Sequence, residues 1–264
     1  MIEDPEFACR IADDLGQIRR LHGVGRLNPC RPSFLIVRLH LCLFALCSLC
    51  LLVSAASPGT ARAEPPPPGR VILVVGDSLS AEYGLPRDSG WVHRLSEQLR
   101  LRPSTGPNQY SVVNASISGD TTGGGRSRLP TLLAQWRPQI VVIELGANDG
   151  LRGLDVHQMR DNLQAMVDAC LSARAQVLLI GIRIPPNYGR TYTQQFADSF
   201  QILARRNRLR FVPFLLEGFA DRLELFQPDH IHPTEQAQAR MLDNVWPALQ
   251  PMLEHPARSA QPIS

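Results

Sequence analysis

The chain has 264 residues, 44% hydrophobic and 6% aromatic, enough for one ordinary domain plus a shorter segment. Its formal charge of +3 is unevenly placed: residues 1–63 hold seven of the 27 arginines and five of the 24 acids, leaving 20 against 19, or +1, in the remainder. A nearly neutral body has no electrostatic footprint for nucleic acid. The absence of lysine excludes a Schiff-base lysine, a phosphate-loop lysine and a Ser-x-x-Lys centre.

The first feature along the chain is apolar. Residues 41–53 are broken only by Ser48, a run of about 13 that suits a signal-peptide core and is short of the ~20 needed to span a bilayer. Arg31 and Arg38 precede it, and Ala61-Arg62-Ala63 supplies a small-x-small cleavage pattern. The expectation is therefore export, with cleavage near Ala63/Glu64 and a periplasmic or secreted product. An anchor that stays in place is the alternative. Leu46 and Leu49 stand ahead of Cys47 and Cys50 where a lipoprotein needs a small residue. Residues 1–63 are read as an N-terminal extension and signal peptide, 64–69 as a stiff Pro-rich spacer, 70–253 as the folded domain and 254–264 as a polar tail. Only Cys170 lies beyond the leader, which excludes a disulfide framework in the folded part.

From residue 70 onward, short apolar runs alternate with helical periods. Strands are expected at 71–75, 110–113, 140–145, 177–182 and 211–214, and helices near 89–101, 126–136, 155–173, 192–207 and 234–250. The clearest helix follows Asp155, a good N-cap. Val156, Met159, Leu163, Met166, Val167 and Cys170 then form one apolar stripe, which makes Cys170 a buried hydrophobe rather than a reactive thiol. Alternation of this kind implies a parallel sheet with helices on both faces, whose sites gather at the carboxyl ends of the strands.

Chemically suggestive residues follow those strands directly. The first strand ends in Gly76-Asp77-Ser78-Leu79-Ser80, a serine after a buried strand and before a helix whose dipole favours negative charge. By itself Gly-Asp-Ser is weak, since serine is also a common cap, and Ser80 departs from the Gly-x-Ser-x-Gly elbow. The second strand runs to Ser118-Gly119-Asp120, followed by glycines 123–125, which lack the lysine of a phosphate loop and read as flexible loop. The third leads into Gly146-Ala147-Asn148-Asp149, where Asn148 reads singly as a turn former, and the fourth into Arg183-Ile184-Pro185-Pro186-Asn187-Tyr188. Before the last helix comes Asp229-His230-Ile231-His232-Pro233. A carboxylate three residues before a histidine can hold the imidazole as a general base for Ser78, while Gly119 and Asn148 offer donors for an oxyanion. Zinc held by Asp229, His230 and His232 is the competing reading of that loop.

Taken together, these residues resemble the GDSL/SGNH hydrolases: Ser78 in Gly-Asp-Ser-Leu-Ser, Gly119 in Asn-Ala-Ser-Ile-Ser-Gly-Asp-Thr, Asn148 in Gly-Ala-Asn-Asp-Gly and His232 in Asp-His-Ile-His-Pro. The likeness spans about residues 71–251 and is greatest to the periplasmic thioesterase I/arylesterase group of Gram-negative bacteria. It implies a flavodoxin-like three-layer α/β/α sandwich and a Ser78–His232–Asp229 triad. It also implies an oxyanion hole from the Ser78 and Gly119 N–H groups and the Asn148 amide, with no cofactor and no metal. The implied activity is hydrolysis of acyl thioesters, aryl esters and lysophospholipids by a monomer that contacts lipid only transiently. A carbohydrate O-deacetylase and a non-catalytic lipid- or carbohydrate-binding relative are the alternatives. Asp77, Leu79, Leu151, Arg152, Pro185 and Tyr188 are the residues expected to line the substrate site. Glu82 and His230 stand where the resembled group usually has glycine, which puts substrate preference in question.

Overall fold

The computed structural model describes residues 69–102 and 109–254. The expected leader, the proline run and the tail after Glu254 lie outside the described residues. Five strands form one parallel sheet: β1 (Arg70–Gly76), β2 (Tyr110–Asn114), β3 (Ile140–Glu144), β4 (Gln176–Ile180) and β5 (Arg210–Val212). Their order is β2-β1-β3-β4-β5. The chain leaves β1 in one direction to make β2, then returns to the other side for β3, so a crevice opens where the order reverses. The centres of β1, β3 and β4 are apolar because helices cover both faces, and Ile72, Leu73, Ile140 and Ile143 are fully buried.

The helices are α1 (Trp91–Arg100), α2 (Thr122–Trp136), α3 (Ala147–Leu151), α4 (Val156–Ser172), α5 (Arg190–Asn207) and α6 (Gln238–Glu254). α1 packs with α6, while α2 packs with α4 and α4 with α5, which gives the three layers. The apolar stripe of α4 faces inward, and Asp155 caps it by accepting the His157 N–H. Burial pushes the Cys170 thiol up to about 12, so it stays an un-ionised core side chain.

Three local expectations change. Glycines 123–125 are not loop but the first turn of α2, whose N-cap Thr121 accepts from the Gly124 N–H. Their smallness serves contact: a Cβ on Gly125 would lie 2.3 Å from Leu145. The turn expected at Asn148 is the short helix α3. The last helix begins later than expected, at Gln238, after a single 3₁₀ turn at Glu235–Ala237.

Candidate active site

The three oxyanion candidates stand on adjacent strands. Ser78 follows β1, Gly119 follows β2 on one side, and Asn148 follows β3 on the other. Backbone bonds continue the β1–β2 pairing past the strand, from Ala115 N–H to Val74 O and from Ile117 N–H to Gly76 O, and so carry the second loop to the rim. That loop closes in a turn in which the Asp120 N–H donates to Ile117 O and Gly119 takes φ +81°. A turn with positive φ at its third residue needs glycine. Among the described residues, neither the Ser78 nor the Gly119 N–H donates to a protein acceptor. No helix follows Ser78 directly, contrary to expectation: residues 78–84 are turns, in which the Ala81 N–H donates to Asp77 O and the Tyr83 N–H to Ser78 O. Local N–H groups, not a helix dipole, therefore face a developing oxyanion here.

His232 arrives from the loop before α6. Its Nε2 lies 2.9 Å from Ser78 Oγ, and its Nδ1 lies 2.7 Å from Asp229 Oδ2. The other carboxylate oxygen of Asp229 accepts the backbone N–H groups of Ile231 (2.9 Å) and His232 (3.0 Å), so one side chain folds the loop and orients the ring. Burial raises the Asp229 carboxyl, but the His232 N–H, the His232 ring and the Ile231 N–H outweigh it and hold it at about 2. Both ring nitrogens of His232 are engaged in this chain, and no three ligand-type side chains converge among the described residues in a geometry that would hold a metal.

The loop is stapled to the segment after Ser78 by groups that sequence reading missed. The Gln227 N–H donates to His232 O at 2.7 Å, and its amide donates to Tyr83 O at 2.8 Å. The Tyr83 ring, half exposed, lies against the imidazole with centroids 4.4 Å apart. Nothing in the pattern marks Gln227 or Tyr83 except nearness to the motifs.

Glu82 and His230 both adopt positive φ, +59° and +57°. That conformation costs most residues roughly 1–2 kcal/mol and glycine almost nothing, which explains why glycine suits these two positions. Glu82 has a compensation: its carboxylate accepts the N–H groups of Asp88 (3.0 Å) and Gly90 (2.8 Å) and closes the turn ahead of α1.

The expected substrate-lining residues divide. Pro185, Arg152 and Tyr188 are exposed, and Leu151 is partly so. Arg152 donates to Gly119 O at 2.9 Å, and the Tyr188 hydroxyl donates to Leu151 O at 2.8 Å, so they also fasten the rim loops to one another. Asp77 and Leu79 do not line the site. Asp77 is 0% exposed and Leu79 is 9% exposed, because the turn after β1 sends Ser78 outward and its two neighbours inward.

Asp77 works from beneath. Its carboxylate accepts the Leu79 N–H (3.1 Å) and the Asn148 amide (3.3 Å), while the same amide also donates to Asp120 O (3.0 Å). Asn148 is thereby aimed by two acceptors. Behind Asp77 lies Glu144, fully buried at the end of β3, which accepts from Ser80 Oγ (2.7 Å) and the Asp77 N–H (3.4 Å). Trp91 Nε1 in turn donates to Ser80 Oγ. Asp149 holds α2 in place by accepting the Thr122 N–H and hydroxyl. A glutamate inside the apolar run 140–145 was the sequence signal for this network.

Burial, then the Asp77 charge, pushes the Glu144 carboxyl well above its usual range against the pull of Ser80 and the Asp77 N–H. Burial likewise raises Asp77 to about 7, opposed by Leu79 and Asn148 and reinforced by Asp120 and Asp149. Both folded carboxyls hold protons that the unfolded chain releases above pH ~4. The stability they contribute is complete below that pH and is lost as pH rises through the folded values. Glu144→Gln is therefore expected to flatten the fall in melting temperature between pH about 4 and 8. The slope is the readout, since an unmatched amide N–H lowers stability at every pH. Parallel wild-type and variant curves would remove Glu144 as a source.

Comparison with known proteins identifies the family of the chain. The profile of the GDSL-like Lipase/Acylhydrolase family matches residues 74–240. The chain is 47% identical to Esterase TesA of Pseudomonas aeruginosa over 184 residues, 70% of this chain and 90% of that one. It is 39% identical to Thioesterase 1/protease 1/lysophospholipase L1 of Escherichia coli over 184 residues, 70% and 85% of the two chains. Among solved structures, the psychrotrophic esterase EstA from Pseudoalteromonas, inhibited by monoethylphosphonate, aligns with a TM-score of 0.66 at 39% identity, covering 70% of this chain and 100% of that one.

Proposed function

Because this chain belongs to the GDSL-like lipase/acylhydrolase family, we propose that it hydrolyses acyl esters and thioesters through an acyl-enzyme on Ser78. The observation that carries this reading is the unbroken line from Asp229 to His232 to Ser78, at 2.7 and 2.9 Å. As Ser78 Oγ attacks the acyl carbon, Nε2 of His232 takes its proton, and Asp229 stabilises the imidazolium. The carbonyl oxygen, now negative, accepts from the Ser78 and Gly119 N–H groups and the Asn148 amide. Collapse expels the alcohol or thiol, which receives the proton from His232. Water then repeats the sequence against the acyl-serine: His232 takes its proton, and the carboxylic acid leaves as Ser78 recovers its own.

Exposed apolar side chains surround these groups and favour an acyl chain over a sugar. Ile117 precedes Gly119 by two residues, Ile231 adjoins His232, Leu154 follows Arg152, and Tyr83 and Tyr188 complete the set. We read residues 1–63 as an export signal cleaved near Ala63/Glu64, which makes the enzyme periplasmic or secreted; the apolar run at 41–53 supports this.

The test uses p-nitrophenyl acetate, octanoate and palmitate, an acyl-CoA thioester, and a fluorophosphonate probe. Hydrolysis is expected to favour octanoate over acetate, with the probe on the Ser78 peptide. Labelling of a different serine, or turnover confined to acetylated sugars, would refute the reading.

A further inference from the structure

The edge of the sheet opposite the active site has a chemistry of its own. β1 begins at Arg70 and β5 at Arg210, while Arg137 lies just ahead of β3, and Arg174 and Arg208 just ahead of β4 and β5. Arg205 and Arg206 end α5 beside them. All of these except the partly buried Arg70 are exposed, and among the described residues none of the exposed ones is ion-paired. Adjacent strands lie about 4.8 Å apart, so β1-β3-β4-β5 spreads this charge over roughly 15 Å. Neighbouring charges are thus within a Debye length of ~8 Å, and their fields add.

The junctions 134–140, 169–176 and 203–210 contain no acidic residue, whereas the catalytic edge carries Asp77, Asp120, Asp149 and Asp229. Compensation of helix C-termini explains part of the basic set. It does not explain the arginines that open β1 and β5, and the acid that ends α6, Glu254, is taken up by Arg102. Exposed leucines sit among the charges: Leu171 (46% exposed) in the last turn of α4 and Leu101 (79%) at the end of α1. The chain also enters the domain at this edge, with sixteen residues between the apolar run 41–53 and Arg70.

We propose that this edge docks on an anionic phospholipid bilayer and turns the catalytic edge outward toward water-borne substrate. Arginines supply the attraction to anionic headgroups, and the leucines sit at the depth where such headgroups meet acyl chains. No helix among the described residues is long and apolar enough to cross the bilayer, so the contact is peripheral. The proposal concerns orientation and is independent of the reaction at Ser78.

The experiment compares the full chain with its Arg174→Ser/Arg208→Ser/Arg210→Ser variant by co-sedimentation with two kinds of vesicle. One kind mixes phosphatidylglycerol with phosphatidylcholine; the other is phosphatidylcholine alone. Affinity for the anionic vesicles is expected to fall about tenfold or more in the variant. High salt is expected to weaken wild-type binding in the same way. Any contribution of the apolar run appears equally in both proteins on neutral vesicles. Retained hydrolysis of a soluble ester establishes that the variant is folded. Equal affinity of the two proteins for anionic vesicles would overturn the proposal. So would wild-type binding to duplex DNA with none to those vesicles.

Discussion

Ser78→Ala is expected to lower turnover of a short p-nitrophenyl ester by about 10⁶-fold, the scale seen when a triad nucleophile is removed outright. The size of the loss follows from what remains. His232 keeps its bond to Asp229, and the N–H groups of residues 78 and 119 and the Asn148 amide still face the carbonyl, so binding and charge stabilisation persist. No nucleophile is left to form an acyl-enzyme, and residual hydrolysis falls to direct attack by water, ~10³–10⁴ above the uncatalysed rate. The fold should be indifferent, because Ser78 is only partly buried and its side chain bonds to His232 alone. Turnover measured alongside melting temperature separates the two effects. Fluorophosphonate labelling should vanish in the same variant. A loss of less than tenfold, with a second serine labelled, would transfer the role elsewhere.

Residues whose chemistry sits on one short segment were legible in the sequence. β1 announces itself as a β-branched run with no polar face, and the α4 stripe predicts its own burial down to Cys170. The Asp229-x-x-His232 spacing contains its geometry, because three residues of loop suffice for the carboxylate to reach Nδ1. What escaped depends on partners distant in sequence. Glycines 123–125 look flexible until Leu145, just past the next strand, is seen to need the room. Asp77 looks like part of the site because it adjoins Ser78. Only the direction of the turn shows that the serine points out and the aspartate in, where it aims Asn148. Tyr83 and Gln227 are ordinary loop residues until the His232 loop folds onto them. The likeness to relatives marked Glu82 and His230 as departures. The backbone supplies the reason glycine suits both places, and the Asp88 and Gly90 N–H groups supply the reason a glutamate is tolerated at one.

Asp229→Asn is expected to cost about 10⁴-fold in turnover while leaving the loop folded. Asn can keep its carbonyl oxygen where Oδ1 accepts the Ile231 and His232 N–H groups, so the backbone geometry survives. The amide nitrogen then replaces Oδ2, 2.7 Å from Nδ1, and it donates where the carboxylate accepted. His232 must present a bare Nδ1 to it, which places the ring proton on Nε2, facing Ser78. A base that already carries its proton cannot take another from the serine hydroxyl. The carboxyl of Asp229 is held at about 2, so in the wild type it is ionised throughout the working range. Its contribution to stability, present above the ordinary carboxylate value, is lost only as pH falls through about 2. Protonation of Asp229 itself therefore does not narrow the gap between wild type and variant anywhere from weakly acid to alkaline pH. Turnover at neutral pH is the measurement: a loss below tenfold would mean that Asp229 shapes the loop without setting the tautomer of His232.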